Sequence, residues 1–263
     1  MARYDFRSPR LFVAGAIKAG AETVLEKPQA HYLRNVLRLN PGDPVLAFNG
    51  RDGEWRTTLA EKGKQAALSA SEQVRDQTEP CDLHYLFAPL KHERLDYMVQ
   101  KAVELGVSRL QPVLTQHTQV NRVNLERMRA NAIEAAEQCG VLSIPEIGEP
   151  MTFARALAAR KPERLLVFCD EDADVKDPVA ALADAWESPG AMLPLTMASA
   201  ASEGPQPIAL LIGPEGGFAE EERAALLKQT NMVRLSLGPR ILRADTAAVA
   251  ALALLQAVLG DWR

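Results

Sequence analysis

The sequence predicts an α/β protein in two parts, a small β-rich front domain followed by a larger domain built on a parallel sheet. Three observations carry that prediction. Residues 1–75 break into short strand-like segments divided by turn chemistry. Beyond them the pattern changes to alternating strand and helix. Those later strands are solid apolar runs, which requires both faces of their sheet to be covered.

In the front part, LFVAG, ETVLE, PVLAFNG, EWRTTLAE and AALSAS read as strands, and AIKAG, NPGD and NGRDG as the turns between them. One helix interrupts them: Pro28 suits a first helical position, and Tyr32, Leu33, Val36 and Leu37 share one face. A small barrel-like β domain with one helix is the economical reading. The polar stretch EQVRDQTEP reads as a linker, dividing the chain into 1–76 and 77–263.

The second part opens with the strand LHYLFAP and a helix carrying Leu95, Met98, Val99 and Ala102, stopped near Gly106. RLQPVL is its second strand, followed by a helix over Leu125, Met128, Ala132 and Ala136 that ends near Gly140. ERLLVFCD is a third strand, and DPVAALADAW a helix with Asp177 as cap and Pro178 at its first position. PIALLIG and MVRLSLG are two more strands, each followed by a helix. Residues 187–206 are small and aperiodic, and read as a surface insertion.

Composition narrows the function classes. Apolar residues at 47% and charged residues at 24% are ordinary for a globular protein. No run approaches the ~20 apolar residues of a membrane span, and MARYDFRSPRLFVAG carries no secretory signal pattern. Cys81, Cys139 and Cys169 are far apart, which argues for reduced thiols, each a small buried hydrophobe, in a cytoplasmic protein. His31, His84, His92 and His117 lack metal-ligand spacing, so no metal is expected. Residues 1–75 carry 12 Lys/Arg against 8 Asp/Glu, a balance of +4, and the remainder 18 against 26, a balance of −8. A basic front on an acidic body suits a polyanion partner, although a solvated arginine surface gives the same count.

The chemistry concentrates in two loops. Ile212 ends an apolar strand and runs into Gly213-Pro214-Glu215-Gly216-Gly217, with a helix beginning near Ala219. Ligands of such sheets collect at the carboxyl ends of strands, and glycines there let a ligand approach the backbone. GxxxxGK[ST] and GxGxxG are both absent, and Glu215, Glu220, Glu221 and Glu222 crowd the helix entrance, where they would repel phosphate. A cationic ligand, or one read mainly by backbone, fits better.

The second loop is LSLGPRILRADT, Leu235 to Thr246. Gly238-Pro239 makes another abrupt turn, Arg240 and Arg243 bracket Ile241 and Leu242, and Asp245 or Thr246 caps an alanine-rich helix. Two consecutive strands thus end in Gly-Pro turns, and were they neighbours in the sheet the loops would meet. Glu104, Glu137 and Gln138 fall near helix C-termini, where acids are unfavourable unless they bind something.

IGPEGGFAEEE followed by LSLGPRILRADTAA resembles the paired C-terminal motifs of the RsmE family. HYLRNVLRLNPGD is similar to that family's N-terminal PUA-like RNA-binding domain, and LKHERLDYMVQKAVELGV and AAEQCG to its middle blocks. The resemblance implies a SPOUT-superfamily methyltransferase that uses S-adenosyl-L-methionine to methylate N3 of a uridine in 16S rRNA of the small ribosomal subunit. It implies a trefoil knot, a homodimer, and cofactor loops at Ile212–Gly217 and Leu235–Leu242, with Leu237, Gly238 and Ile241 inside the second. Asp245 stands where the family usually has Glu, Ala219 where it often has Ser, and EQCGVLSIP lacks an arginine that commonly follows this block. Two other readings remain open: a non-catalytic RNA-binding ribosome-assembly factor, or a relative acting on tRNA.

For the N3 reaction, Arg240 and Arg243 are candidates to stabilise the developing uracil anion, with Arg243 pinned by Asp245. Glu215 and Asp245 are weak candidates for the base. Arg7, Arg10, Arg34 and Arg38 are expected to supply phosphate contacts from the front domain.

Overall fold

The computed structural model describes residues 7–120, 122–174, 177–187 and 207–262. The small, aperiodic stretch thus lies outside them beyond Glu187. The chain forms two compact units, Met1–Glu79 with Ala136–Ile144, and Pro80–Ala135 with Pro145–Arg263.

The first unit is a five-stranded sheet of β1 (Arg10–Phe12), β2 (Glu22–Val24), β3 (Pro44–Phe48), β4 (Glu54–Lys62) and β5 (Gln65–Arg75), hydrogen-bonded in the order β1-β3-β4-β5-β2. Only β1 and β3 run parallel. β5 continues to Arg75, so the first four residues of the expected linker are strand. Leu11, Leu33, Val45, Leu59 and Leu68 share one core. The expected helix is α1 (Lys27–His31), with Pro28 in its first turn, and it widens into a π-helical turn over Tyr32–Val36 that buries Leu33.

The last turn of α3 (Leu125–Cys139) and the segment after it belong to this first unit, which the linear boundary at 76 does not capture. Glu137 accepts the backbone N–H of Phe12 at 2.9 Å, which explains an acid at a helix end. Arg10 lies in the same place. It is buried, its Nε is 2.5 Å from the equally buried Glu54, and it donates to the carbonyls of Ala136, Glu137 and Val141. Its guanidinium also stacks over Phe48, 4.3 Å from the ring centre. Arg10, expected among the phosphate contacts, therefore faces inward, where it satisfies helix-terminal carbonyls.

The second unit is a parallel sheet of β6 (Leu83–Phe87), β7 (Arg109–Leu114), β8 (Glu146–Ile147), β10 (Leu165–Cys169), β11 (Ile208–Ile212) and β12 (Met232–Leu235), with β9 (Met151–Thr152) pairing to β7. Its order is β12-β10-β11-β6-β7-β8, and every pair runs parallel. The strands are continuous apolar runs because helices cover both faces. On one face α2 (His92–Glu104) packs on α7 (Ala244–Val258), burying Met98, Val99 and Ala102 against Ala248, Ala251 and Leu252. On the other, α4 (Phe153–Ala159) and α6 (Glu220–Leu227) close a cluster of Leu86, Val113, Leu166, Phe168 and Leu211. The short β8, β9 and α4 carry too little periodicity to read from sequence. At α5 (Pro178–Glu187), Asp177 accepts the N–H groups of Val179 and Ala180, as its capping position predicts.

The two Gly-Pro loops do not leave neighbouring strands. β10 lies between β11 and β12, so the loops are separated by two strand spacings, roughly 10 Å. The cysteines also differ from expectation: Cys81 and Cys169 are partly exposed and Cys139 is exposed. Burial nonetheless pushes the Cys169 thiol up to about 12.

Candidate active site

The order of the sheet reverses between β6 and β11: the chain moves outward from β6 to β7 on one side, and β10, β11 and β12 fill the other. Crevices for ligands open outside the carboxyl ends of strands at such a reversal. The loops after β6 and β11 leave side by side here, with Ala88 N donating to Ile212 O at 3.2 Å. A cleft of about 210 Å³ opens between them, lined by residues that include Pro89, Lys91, Arg94, His117, Pro214 and Glu215.

The loop after β11 is tightly defined. Gly217 N donates to Pro214 O at 2.9 Å, closing a turn, and Gly217 O meets His117 Nδ1 at 3.1 Å. Gly217 holds a left-handed φ of +71°, yet a Cβ there would meet open space. Gly213 is constrained in the opposite sense. A Cβ on it would come within 2.9 Å of the Phe218 ring, which packs against Phe153 and Phe168. The first glycine admits a ring to the core, and the last sustains the left-handed turn with open space beside it.

Ala219 is the N-cap of α6 and has no acceptor to offer. Glu222 compensates, taking the Ala219 N–H at 3.0 Å with one oxygen and the Gln116 N–H at 2.9 Å with the other. One acid of the crowded helix entrance therefore ties the loop after β11 to the loop after β7. Glu215 is exposed and pairs with Arg94 of α2, whose Nε also lies 3.9 Å from Asp245. Arg94 thus bridges the first loop and the start of α7. Reading the sequence missed it, although it sits inside the block LKHERLDYMVQKAVELGV that carries the family likeness.

In the second loop Leu235 is buried at the end of β12, Leu237 and Leu242 are half-buried, and Gly238, Arg240, Ile241 and Arg243 are exposed. Ile241 retains 89% of its accessible surface. Asp245 does not hold Arg243: its cation is Arg94, and neither Arg240 nor Arg243 pairs with a carboxylate among the described residues. Arg243 is the N-cap of α7 by its backbone, and Asp245 is the second residue of its first turn, which corrects the expected capping role of Asp245 or Thr246.

What connects the two loops is Asp170 at the end of β10. Its carboxylate accepts Arg223 of α6 at 3.1 Å and Arg234 of β12 at 2.9 Å. Burial raises its pKa, but hydrogen bonds from both arginines and from the Asp172 N–H outweigh it and hold the carboxyl below the usual range. Asp170 therefore stays ionised and braces the element after the first loop to the strand before the second. The only sequence signal for it is an acid closing an apolar strand.

On the front unit Arg7 and Arg38 are exposed, and Arg34 is partly exposed with its Nη2 3.2 Å from Glu61. Among the described residues no cluster of three or more His, Cys, Asp or Glu could hold a metal ion, and no helix is long and apolar enough to cross a membrane.

A parallel α/β sheet with a glycine loop at its reversal point, joined to a small β unit, defines a class that comparison with known proteins resolves. A family model described as an RNA methyltransferase domain matches residues 77–256, and one described as an RNA methyltransferase PUA domain matches residues 25–69. The chain is similar to proteins named ribosomal RNA small subunit methyltransferase E from Rickettsia conorii, at 31% identity over 85% of this chain and 84% of the relative, and from Synechocystis, at 32% over 95% and 78%. It belongs to that family, the ribosomal RNA small subunit methyltransferase E proteins. Two solved structures share the fold. One is a Legionella pneumophila methyltransferase in complex with the cofactor SAM, with a TM-score of 0.78 and 29% identity over 95% of this chain and 98% of that one. The other is a ribosomal RNA small subunit methyltransferase E from Neisseria gonorrhoeae bound to S-adenosyl methionine, with a TM-score of 0.79 and 25% identity over 98% and 100%.

Proposed function

We propose that the protein methylates N3 of a uridine in the 16S rRNA of the small ribosomal subunit, using S-adenosyl-L-methionine, and that it works as a cytoplasmic homodimer. In this reading residues 1–76 are the RNA-binding domain and 77–263 the methyltransferase domain, with the trefoil knot that the family likeness implies. The observation that carries it is the crevice at the β6–β11 reversal, where the glycine loop after β11 meets the loop after β6.

The residues present fit the cofactor. Gly217 and Gly238 both leave open space where a Cβ would stand, and Glu215 stands at the cleft beside Lys91 and Arg94. Ile212, Gly213, Pro214, Gly216 and Gly217 would hold it from the first loop, and Leu235, Leu237, Gly238, Ile241 and Leu242 from the second. When bound, S-adenosyl-L-methionine supplies a methyl group on a cationic sulfonium. Its positive charge suits this acidic loop better than a phosphate would.

The chain's own task is to hold the uracil in line and to manage the N3 proton. Loss of that proton spreads negative charge onto O2 and O4, and Arg240, with no competing carboxylate among the described residues, supplies the cation. Arg243 shares that role from the mouth of α7. Asp245 is the candidate to accept the proton, with Glu215 second. Both lie against Arg94. N3 lies on the pairing edge, so the target must be unpaired or flipped out.

The deciding experiment is a methyl-transfer assay with 30S subunits, naked 16S RNA and tRNA, followed by mapping of the modified base. Methylation at a 16S uridine N3 is expected. Label only in tRNA, or in no RNA, would overturn the reading.

Gly217 tests the cofactor loop. Asparagine tolerates a left-handed φ, whereas a β-branched residue does not. Calorimetry should show cofactor binding abolished in Gly217→Val and weakened less in Gly217→Asn. Intact binding by the valine variant would sink the loop assignment. On the front unit, Arg34→Ala with Arg38→Ala should weaken RNA binding about tenfold or more at low salt and flatten its salt dependence, with cofactor affinity unchanged. Unchanged RNA affinity would remove these arginines from the interface, and leave Arg7 as the remaining exposed candidate.

A further inference from the structure

The loop after β7 carries a side chain, His117, that the methyl-transfer reading leaves unused. β6 separates β7 from β11 in the sheet, yet the loops after β7 and β11 are tied to each other. Gln116 N donates to Glu222 Oε1 at 2.9 Å, while Glu222 Oε2 takes the N–H of Ala219 at 3.0 Å. His117 Nδ1 lies 3.1 Å from Gly217 O. The root of the same side chain packs on Gly216, where an added Cβ would stand 3.3 Å from His117 Cβ.

The segment that presents His117 is itself a closed turn. Thr118 N donates to Thr115 O at 3.1 Å, and Thr118 Oγ1 accepts the Thr115 N–H at 2.8 Å. Thr115 is buried, so the turn is anchored in the body of the unit. His117 is therefore held in place on its own side before it reaches the other loop.

The hydrogen bond also fixes the tautomer of the ring. A carbonyl oxygen only accepts, so Nδ1 carries a proton. Among the described residues the ring makes no other hydrogen bond. One N–H donor on one carbonyl is the whole of its polar contact there.

The carbonyl it meets belongs to the glycine-rich loop. Glycine gives up more backbone freedom on ordering than any other residue. A loop ordered only when its ligand arrives subtracts that cost from the affinity. Gly217 N already donates to Pro214 O at 2.9 Å. With His117 on its C=O, Gly217 is held on both sides in the absence of any ligand.

We propose that His117 is a positioning residue for S-adenosyl-L-methionine, holding the GPEGG loop in its binding-competent shape through Nδ1. This rests on the reading that Ile212–Gly217 holds the cofactor.

The test compares the full chain with His117→Ala and His117→Asn. Asparagine carries an amide nitrogen at the place of Nδ1 and lacks the rest of the ring. Calorimetric titration with S-adenosyl-L-methionine should show affinity about tenfold weaker in His117→Ala, the scale of one lost hydrogen bond, and most of it restored in His117→Asn. A second measurement uses no ligand. The Gly217 amide should exchange with solvent about tenfold faster in His117→Ala than in wild type, with the amides of β6 and β11 unchanged. That arm separates positioning from direct contact, because a contact with the cofactor cannot alter exchange in the free protein. Equal cofactor affinity in wild type and His117→Ala, an asparagine variant as weak as the alanine one, or unchanged Gly217 exchange would each overturn the proposal. Wild type that fails to bind the cofactor would instead overturn the cofactor reading, and this inference with it.

Discussion

Arg240→Ala is expected to lower kcat by about 10²–10³-fold while leaving cofactor affinity unchanged. That is the magnitude measured when one preorganised donor to a developing anion is removed. The prediction is large because Arg240 is exposed in its loop and no described carboxylate neutralises it, so its charge is available to the substrate. Arg240→Lys should recover part of the rate, since a point charge replaces a planar fork. Arg243→Ala should cost less, because its structural part in capping α7 is played by backbone. Single-turnover methylation of 16S RNA with saturating cofactor checks this. A kcat within threefold of wild type for Arg240→Ala would remove it from the reaction.

Glu54→Leu is expected to destabilise the first unit by about 3–5 kcal/mol, the cost of stripping the partner from a buried charge. Glu54 is 1% exposed and Arg10 is 7% exposed, so neither can turn to water when the other is lost. Arg75, 3.6 Å from Glu54, cannot replace the lost carboxylate for Arg10, because both are cations. The paired variant Arg10→Met with Glu54→Leu should recover much of the loss, because it removes the isolated charge. Urea unfolding followed by the fluorescence of Trp55, within β4, reads the effect in this unit. A loss below 1 kcal/mol for the single variant would show that the pair contributes little.

Arg10 illustrates what linear reading could not supply. In MARYDFRSPRLF it looks like any arginine of a basic segment, and the acid it needs is 44 residues away in β4. The three carbonyls it satisfies lie beyond residue 135, in a segment that the linear boundary assigns to the other domain. Asp170 and Arg94 were hidden for the same reason. Each acts by joining elements distant in the chain, and a single sequence records side-chain type but not proximity. Gly213 is a milder case: the glycine was visible, but its purpose, room for the Phe218 ring, depends on how that ring packs.

By itself the sequence determined the kinds of elements and the chemistry at their ends. Apolar periodicity marks the longer strands and helices, because burial on one face or two leaves a pattern within each segment. Glycine, proline and acidic residues mark GPEGG and LGPRILRAD as unusual loops, because backbone conformation and local charge are properties of adjacent residues. Tertiary structure alone decided which strands are neighbours. It placed β10 between the two loop-bearing strands and β6 beside β11, so the first loop faces Pro89, Lys91 and Arg94 rather than the second loop directly. The physical reason is that parallel strands of similar apolar content are interchangeable locally. Their order follows from how the crossover helices pack on the finished sheet.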